Sequence, residues 1–168
     1  MLPRRTPTVV LLAAVLLAGC GGADRAPQTR EGFISAADGV CEDLFSEFAA
    51  VREREPQTPQ EVAAANEELA DTYEKLADRL ARVRLPEERA ARRDAQAFVA
   101  SVRGTVPLLE ELRAASARFL AAAGADDRRA LAAAGNELRG ALDRFRAARA
   151  RSDRRAIDLG LTFCGNLG

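Results

Sequence analysis

Histidine is absent from this 168-residue chain, which removes the commonest general base and the commonest metal ligand together. The carboxylates come next, because general acid–base work needs two that face each other. Glu67-Glu68, Glu87-Glu88, Glu110-Glu111 and Asp126-Asp127 are adjacent in sequence, so on a helix the members of each pair diverge by about 100°. They read as solvated faces or first-turn acids. Asp38, Glu42, Asp43 and Glu47 form an acidic stripe, but calcium asks for six or more oxygens gathered by a loop. A di-iron bundle needs Glu-x-x-His pairs, which this chain cannot supply. No Gly-rich phosphate loop follows a strand, and no nucleophile sits in a recognisable elbow. A catalytic role is therefore disfavoured, and no catalytic residue, cofactor or metal is assigned.

Cysteine is the remaining reactive type, at positions 20, 41 and 164. Cys20 follows a basic start (Arg4, Arg5) and an apolar run from Val9 to Leu17. The run is shorter than the roughly 20 residues that span a bilayer and fits the apolar segment of a secretory signal. Its end, Leu17-Ala18-Gly19-Cys20, resembles the lipobox of bacterial lipoproteins. That resemblance implies a signal over residues 1–19 that is cleaved before Cys20, and a diacylglycerated Cys20 as the mature N-terminus. The protein would then be lipid-anchored at the extracytoplasmic face of the cell membrane, where at least two chains make attachment effectively stable. An ordinary secretory signal that happens to end near a cysteine is the alternative. Twin-arginine export fits less well, since Pro3 and Thr6-Pro7 depart from its pattern. Residues 20–31, small and polar through Thr29, read as a tether; ten residues reach ~35 Å when extended.

Cys41 and Cys164 are left as an even pair in an exported protein, so a disulfide is the default expectation. With no CxxC and no histidine, a metal site between them lacks the four ligands it would need. Two buried free thiols are the other reading. The bridge would join the start of the fold to its end.

The elements that must position these residues are helices. The chain holds 36 alanines, and 24 of its 25 basic residues are arginine, the first a composition of long helices. Heptad-like apolar spacing runs almost throughout residues 32–168. The first helix carries Ile34, Ala37, Cys41, Leu44, Phe48 and Val51 on one face. The second starts at Thr58-Pro59-Gln60-Glu61, a capping box with proline at the first helical position. Its seam is Val62, Asn66, Leu69, Tyr73, Leu76, Leu80 and Val83, where Asn66 either sets register or lies near the open end of the helix. Leu85-Pro86-Glu87-Glu88 closes this helix and opens the third with acids in its first turn. Phe98, Val102, Thr105, Leu109, Leu112, Ser116 and Phe119 keep one phase across Gly104 and Pro107, so the third is read as one long helix kinked near Pro107. Gly124 stops it and Asp126 caps the fourth, with a stripe of Leu131, Leu138, Leu142, Phe145, Ala148, Ala156 and Leu159. Short connections imply an all-α, antiparallel up-down-up-down four-helix bundle over 32–168. Its first helix lies beside the C-terminal end of its fourth, as a Cys41–Cys164 bridge requires. The third and fourth helices are longer than the first two, so either their hairpin overhangs or Gly135, Gly140 or Gly160 breaks the fourth.

Phe33-Ile34-x-x-Ala37-Asp38-x-x-Cys41 and Gly160-Leu161-x-x-Cys164-Gly165 resemble a group of small helical lipoproteins from high-GC actinobacteria. The resemblance supports the helical fold and the disulfide and implies no catalytic residue.

The balance of 25 basic and 25 acidic residues removes the simplest case for nucleic-acid binding. Loss of Arg4 and Arg5 with the signal leaves a formal −2. Seven arginines between Arg139 and Arg155 face only Asp143 and Asp153 on the fourth helix. They either touch anionic phospholipid near the anchor or form a solvated face paired with first-helix acids, the reading preferred here. Two function classes follow. The preferred one is a non-enzymatic, lipid-anchored interaction or accessory module with an envelope protein partner. The other is a binding module for an apolar ligand or lipid held between the helices. Ala121–Ala123 and Ala132–Ala134 argue against a cavity near the last turn, while Phe98, Phe119 and Phe145 could line one lower down.

Overall fold

The computed structural model describes residues 28–125 and 127–167. All regular structure among them is helical: α1 (Arg30–Arg52), α2 (Pro59–Ala81), α3 (Arg89–Arg103), α4 (Val106–Gly124), α5 (Arg128–Leu159) and a short 3-10 turn (Cys164–Asn166). The expected third helix corresponds to α3 and α4, and the expected fourth to α5.

The helix boundaries follow local chemistry. Thr29 caps α1 through the Gly32 N–H at 3.0 Å, so helix starts at Arg30, inside the segment read as tether. Thr58 and Glu61 form both halves of the capping box on α2. The Gln57 and Thr58 N–H groups hold the Glu61 carboxyl below its ordinary value. At the next start, Glu87 and Glu88 stay outside the helix: the Glu87 N–H goes to the Gln28 carbonyl at 2.9 Å, and Glu88 has extended backbone. No acid stands in the first turn of α3, which corrects the expectation.

Between α3 and α4, Gly104 and Thr105 keep right-handed dihedrals, yet the Thr105 N–H turns back to Val102 in a tighter 3.0 Å bond. Pro107 supplies the reason, since it cannot donate and its ring crowds the carbonyl four residues earlier. Thr105 Oγ1 also bonds the Val102 carbonyl, at 2.7 Å, which satisfies a fully buried hydroxyl. Phe98, Val102, Thr105, Leu109, Leu112 and Ser116 are all buried, so the apolar phase survives this junction; Phe119 is half-buried.

Asp126 lies outside the described residues, and the N-cap of α5 is Asp127, which accepts from Arg129 N and Ala130 N. α5 passes through Gly135 and Gly140 and ends at Gly160, whose φ of 90° few other residues adopt. There Leu161 N bonds Ala156 O and Gly160 N bonds Ile157 O, the Schellman pattern that ends a helix and reverses the chain. At 32 residues α5 is about 48 Å long. Helices α1 and α2, at 23 residues each, are about 34 Å.

The core is one cluster drawn from every helix, with Phe33, Leu80, Phe98, Leu109, Leu112 and Phe145 almost fully enclosed. Phe33 is buried on α1 and Ile34 only half-buried, so the seam begins one residue earlier than the spacing suggests. α4 packs on α2 and α5, α3 on α5 and α2, and α1 on α2 and the C-terminal turn. Ion pairs mark the registers: Asp43 with Arg79, Glu47 with Lys75 and Arg54 with Glu68 between the first two helices, then Arg118 with Glu137 and Glu111 with Arg144 further on. Arg54, just past α1, meets a residue more than two turns into α2. The first turns of α2 therefore lie beyond the end of α1.

Among the described residues, the buried Ser152 Oγ has no hydrogen-bond partner. An unpaired buried hydroxyl costs on the order of 1 kcal/mol or more, and alanine is the better helix former. Ser152→Ala should therefore raise the unfolding free energy by about 1 kcal/mol in thermal or urea denaturation. A loss of stability would show that the hydroxyl is satisfied.

Candidate functional site

Leu17, Ala18, Gly19 and Cys20 lie outside the described residues. Cys41 and Cys164 are joined in a disulfide with Cα atoms 5.1 Å apart, across 123 positions of sequence. Cys164 is not on α5 itself. It sits on the 3-10 turn after the Schellman reversal, which folds the last residues back against α1.

A second tie lies one helical turn from the bridge. The Asp38 carboxylate accepts the backbone N–H groups of Thr162 at 2.7 Å, Phe163 at 2.9 Å and Cys164 at 3.2 Å. Arg30 adds a bond to the Leu159 carbonyl, placing a cation at the C-terminal end of α5. The sequence reading treated Asp38 as one member of an acidic stripe. The signal that it does more is its i, i+3 placement before Cys41. Asp38→Ala leaves three N–H groups to solvent and should cost about 2 kcal/mol in chemical denaturation. An effect within a few tenths would remove Asp38 from the tie.

The charged groups pair differently from the preferred expectation. Acids of α1 pair with α2, through Asp43–Arg79 and Glu47–Lys75. On α5, Arg144 reaches Glu111 of α4, while Arg146 and Arg149 meet Asp143 and Asp153 of their own helix. Among the described residues no ion pair joins α5 to α1, because those two helices have little direct packing. Arg113, 19% exposed, gathers Glu67, Asp71, Glu74 and Glu110. Burial works against its charge, but its hydrogen bonds to Glu110 and Glu74 outweigh it and hold the guanidinium above its ordinary value. Glu67 and Glu68 thus serve different arginines, as do Glu110 and Glu111.

The sparse α1–α5 seam leaves a cleft of about 310 Å³. Phe48, Leu69, Tyr73, Leu142, Phe145 and Leu167 give it an apolar lining, and Arg52, Arg54, Arg146 and Arg149 give it a cationic one; among the described residues no carboxylate lines it. Phe48 meets Tyr73 edge to face at 4.9 Å, and Tyr73 meets Phe145 likewise at 5.2 Å. Tyr73 is buried, and its hydroxyl makes no hydrogen bond among the described residues. Burial holds this phenol above its ordinary pKa, so it stays protonated. Asn66, the polar residue in the α2 seam, also lines the cleft, and its Nδ2 donates to Ser116 Oγ at 2.8 Å. Of the three phenylalanines considered for a pocket, Phe145 lines this one, Phe98 is core and Phe119 stands elsewhere on α4. A larger groove between α4 and α5 has an alanine and glycine floor, and its arginines already hold Glu111 and Glu137.

Large apolar side chains also lie open near the stapled corner. Phe45 (41% exposed) is one turn past Cys41, and Phe163 (37%) adjoins Cys164. Ile157 (59%) stands against Gly165, where a Cβ would come within 2.8 Å of its Cγ1. No protein-family model matches the chain, and no curated protein or solved structure matches it either.

Proposed function

We propose that this protein is a non-enzymatic, lipid-anchored cell-envelope module that docks a partner protein through the stapled corner of a four-helix bundle. Phe45, Ile157 and Phe163 carry this reading: apolar surface gathered around a covalently tied corner is a rigid docking patch. The helices run up-down-up-down, with α3 and α4 as one kinked arm. The opposed numbering of the ion pairs supports this, rising from Asp43 on α1 to Arg54 just past it while falling on α2 from Arg79 to Glu68. The anchor rests on the Leu17-Ala18-Gly19-Cys20 sequence, with residues 1–19 removed and a short tether leading to α1.

Cys20→Ala should move the protein from the membrane to the soluble extracytoplasmic fraction on cell fractionation. Continued tight membrane association would count against lipidation. Docking is tested by a photo-crosslinking residue placed at Phe163 in intact cells, with the exposed α3 position Arg93 as control. One discrete adduct from position 163 alone is expected. No adduct, or the same adducts from both positions, would overturn the docking surface.

A further inference from the structure

We propose that the cleft between α1 and α5 binds a single-chain anionic amphiphile, an acyl chain ended by a carboxylate or a phosphate. This site is separate from the stapled corner and does not rest on the docking reading. The apolar half is the lining: Val51, Leu69 and Leu142 are half-buried and leave apolar surface open over a floor of Phe48, Tyr73, Phe145 and Leu167, which are already enclosed. Such a surface gains free energy when an alkyl chain displaces water from it. About 310 Å³ lies at the lower end of ligand-pocket volumes, which suits one chain and excludes a two-chain lipid held entire.

The head group is set by charge. Among the described residues the lining holds four arginines and no carboxylate, so a cation is repelled and an anion attracted. Arg52 has no carboxylate partner among the described residues. Arg146 and Arg149 hold their aspartates only at 3.8 and 3.4 Å, which leaves most of their five donors free. The Tyr73 hydroxyl, which makes no hydrogen bond among the described residues, is a further donor beside the cleft. A protonated phenol and guanidinium groups together suit a carboxylate or phosphate oxygen.

The test uses the full chain carrying Cys20→Ser, titrated calorimetrically with monomeric dodecanoate, dodecyl phosphate and dodecanol. One anionic molecule should bind per chain, with dodecanol at least about tenfold weaker, the worth of a charge-assisted hydrogen bond. Preference for dodecanoate would identify free fatty acids as the source, and preference for dodecyl phosphate would identify phospholipid-derived molecules. Ala65→Trp, which fills the cleft from α2, should weaken binding of the anions about tenfold or more. The surface pair Arg52→Gln with Arg149→Gln should do so for the anions while leaving dodecanol unchanged. The site is overturned if neither anion binds, if dodecanol binds equally, or if both variant proteins bind as the parent does. Adsorption to phosphatidylglycerol vesicles without monomer binding would likewise reduce the arginines to a membrane-facing patch.

Discussion

Reduction of the Cys41–Cys164 bridge is expected to lower the unfolding free energy by about 4–5 kcal/mol, the largest effect of any single change in this protein. The bridge closes a loop across 123 positions, and for a loop of that length the chain-entropy model gives a penalty of this size. A domain of this kind has about 5–15 kcal/mol of stability in all, so the reduced protein would sit near the edge of folding. The loss also has a direction. α1 is held by α2 and by the C-terminal turn, with little direct packing on α5. Once the bridge opens, the Asp38 hydrogen bonds and the packing of the turn on α1 are what tie it to the helix, and Leu161, Cys164 and Leu167 lose part of what keeps them buried. Urea denaturation with and without reductant measures the free energy, and amide exchange should show α1 opening ahead of α4 and α5. A loss under about 1 kcal/mol would mean that the non-covalent contacts suffice.

Phe145→Ala is the second large effect, expected to cost about 3–5 kcal/mol. Phe145 is 2% exposed and ends the ring chain that runs from Phe48 on α1 through Tyr73 on α2 to α5. Those rings are a principal contact across the otherwise open α1–α5 seam, so truncation removes both transfer free energy and edge-to-face attraction. The ring is also part of the cleft lining, and its loss enlarges the cleft toward the core. Chemical denaturation gives the cost. The same variant protein should bind longer or bulkier amphiphiles than the parent does, and a cost below about 1 kcal/mol would show that the seam collapses to fill the space. Combined with reduction of the disulfide the two effects should not add, because both act on the attachment of α1.

Much of the helical scaffold was legible in local signals. Thr58 with Glu61 and the seam from Phe98 to Ser116 can each be read within a few residues, because caps and periodicity act over one or two turns. Where the reading slipped, a distant group intervened. Glu87 and Glu88 look like first-turn acids until the Gln28 carbonyl takes the Glu87 N–H from 59 positions away. Asp38 looks like one acid in a stripe until three N–H groups from the C-terminal segment converge on it. The α5 arginines look like partners for α1, but the open seam leaves them to α4, to their own helix and to the cleft.

From the sequence alone come the absence of histidine from the chain, the helical class, the capped start of α2, and the pairing of the only two cysteines within the described residues. Composition, caps and cysteine parity are properties of single residues or of one turn of chain, and they survive any rearrangement of the rest. Only the tertiary structure decided that α1 and α5 part to leave a cleft, that Tyr73 and Ser152 carry unpaired hydroxyls among the described residues, and that Phe45, Ile157 and Phe163 stay exposed. Those outcomes depend on which faces meet after the chain reverses at Gly160. That choice is made by packing between residues more than a hundred positions apart, and spacing within a helix carries no record of it.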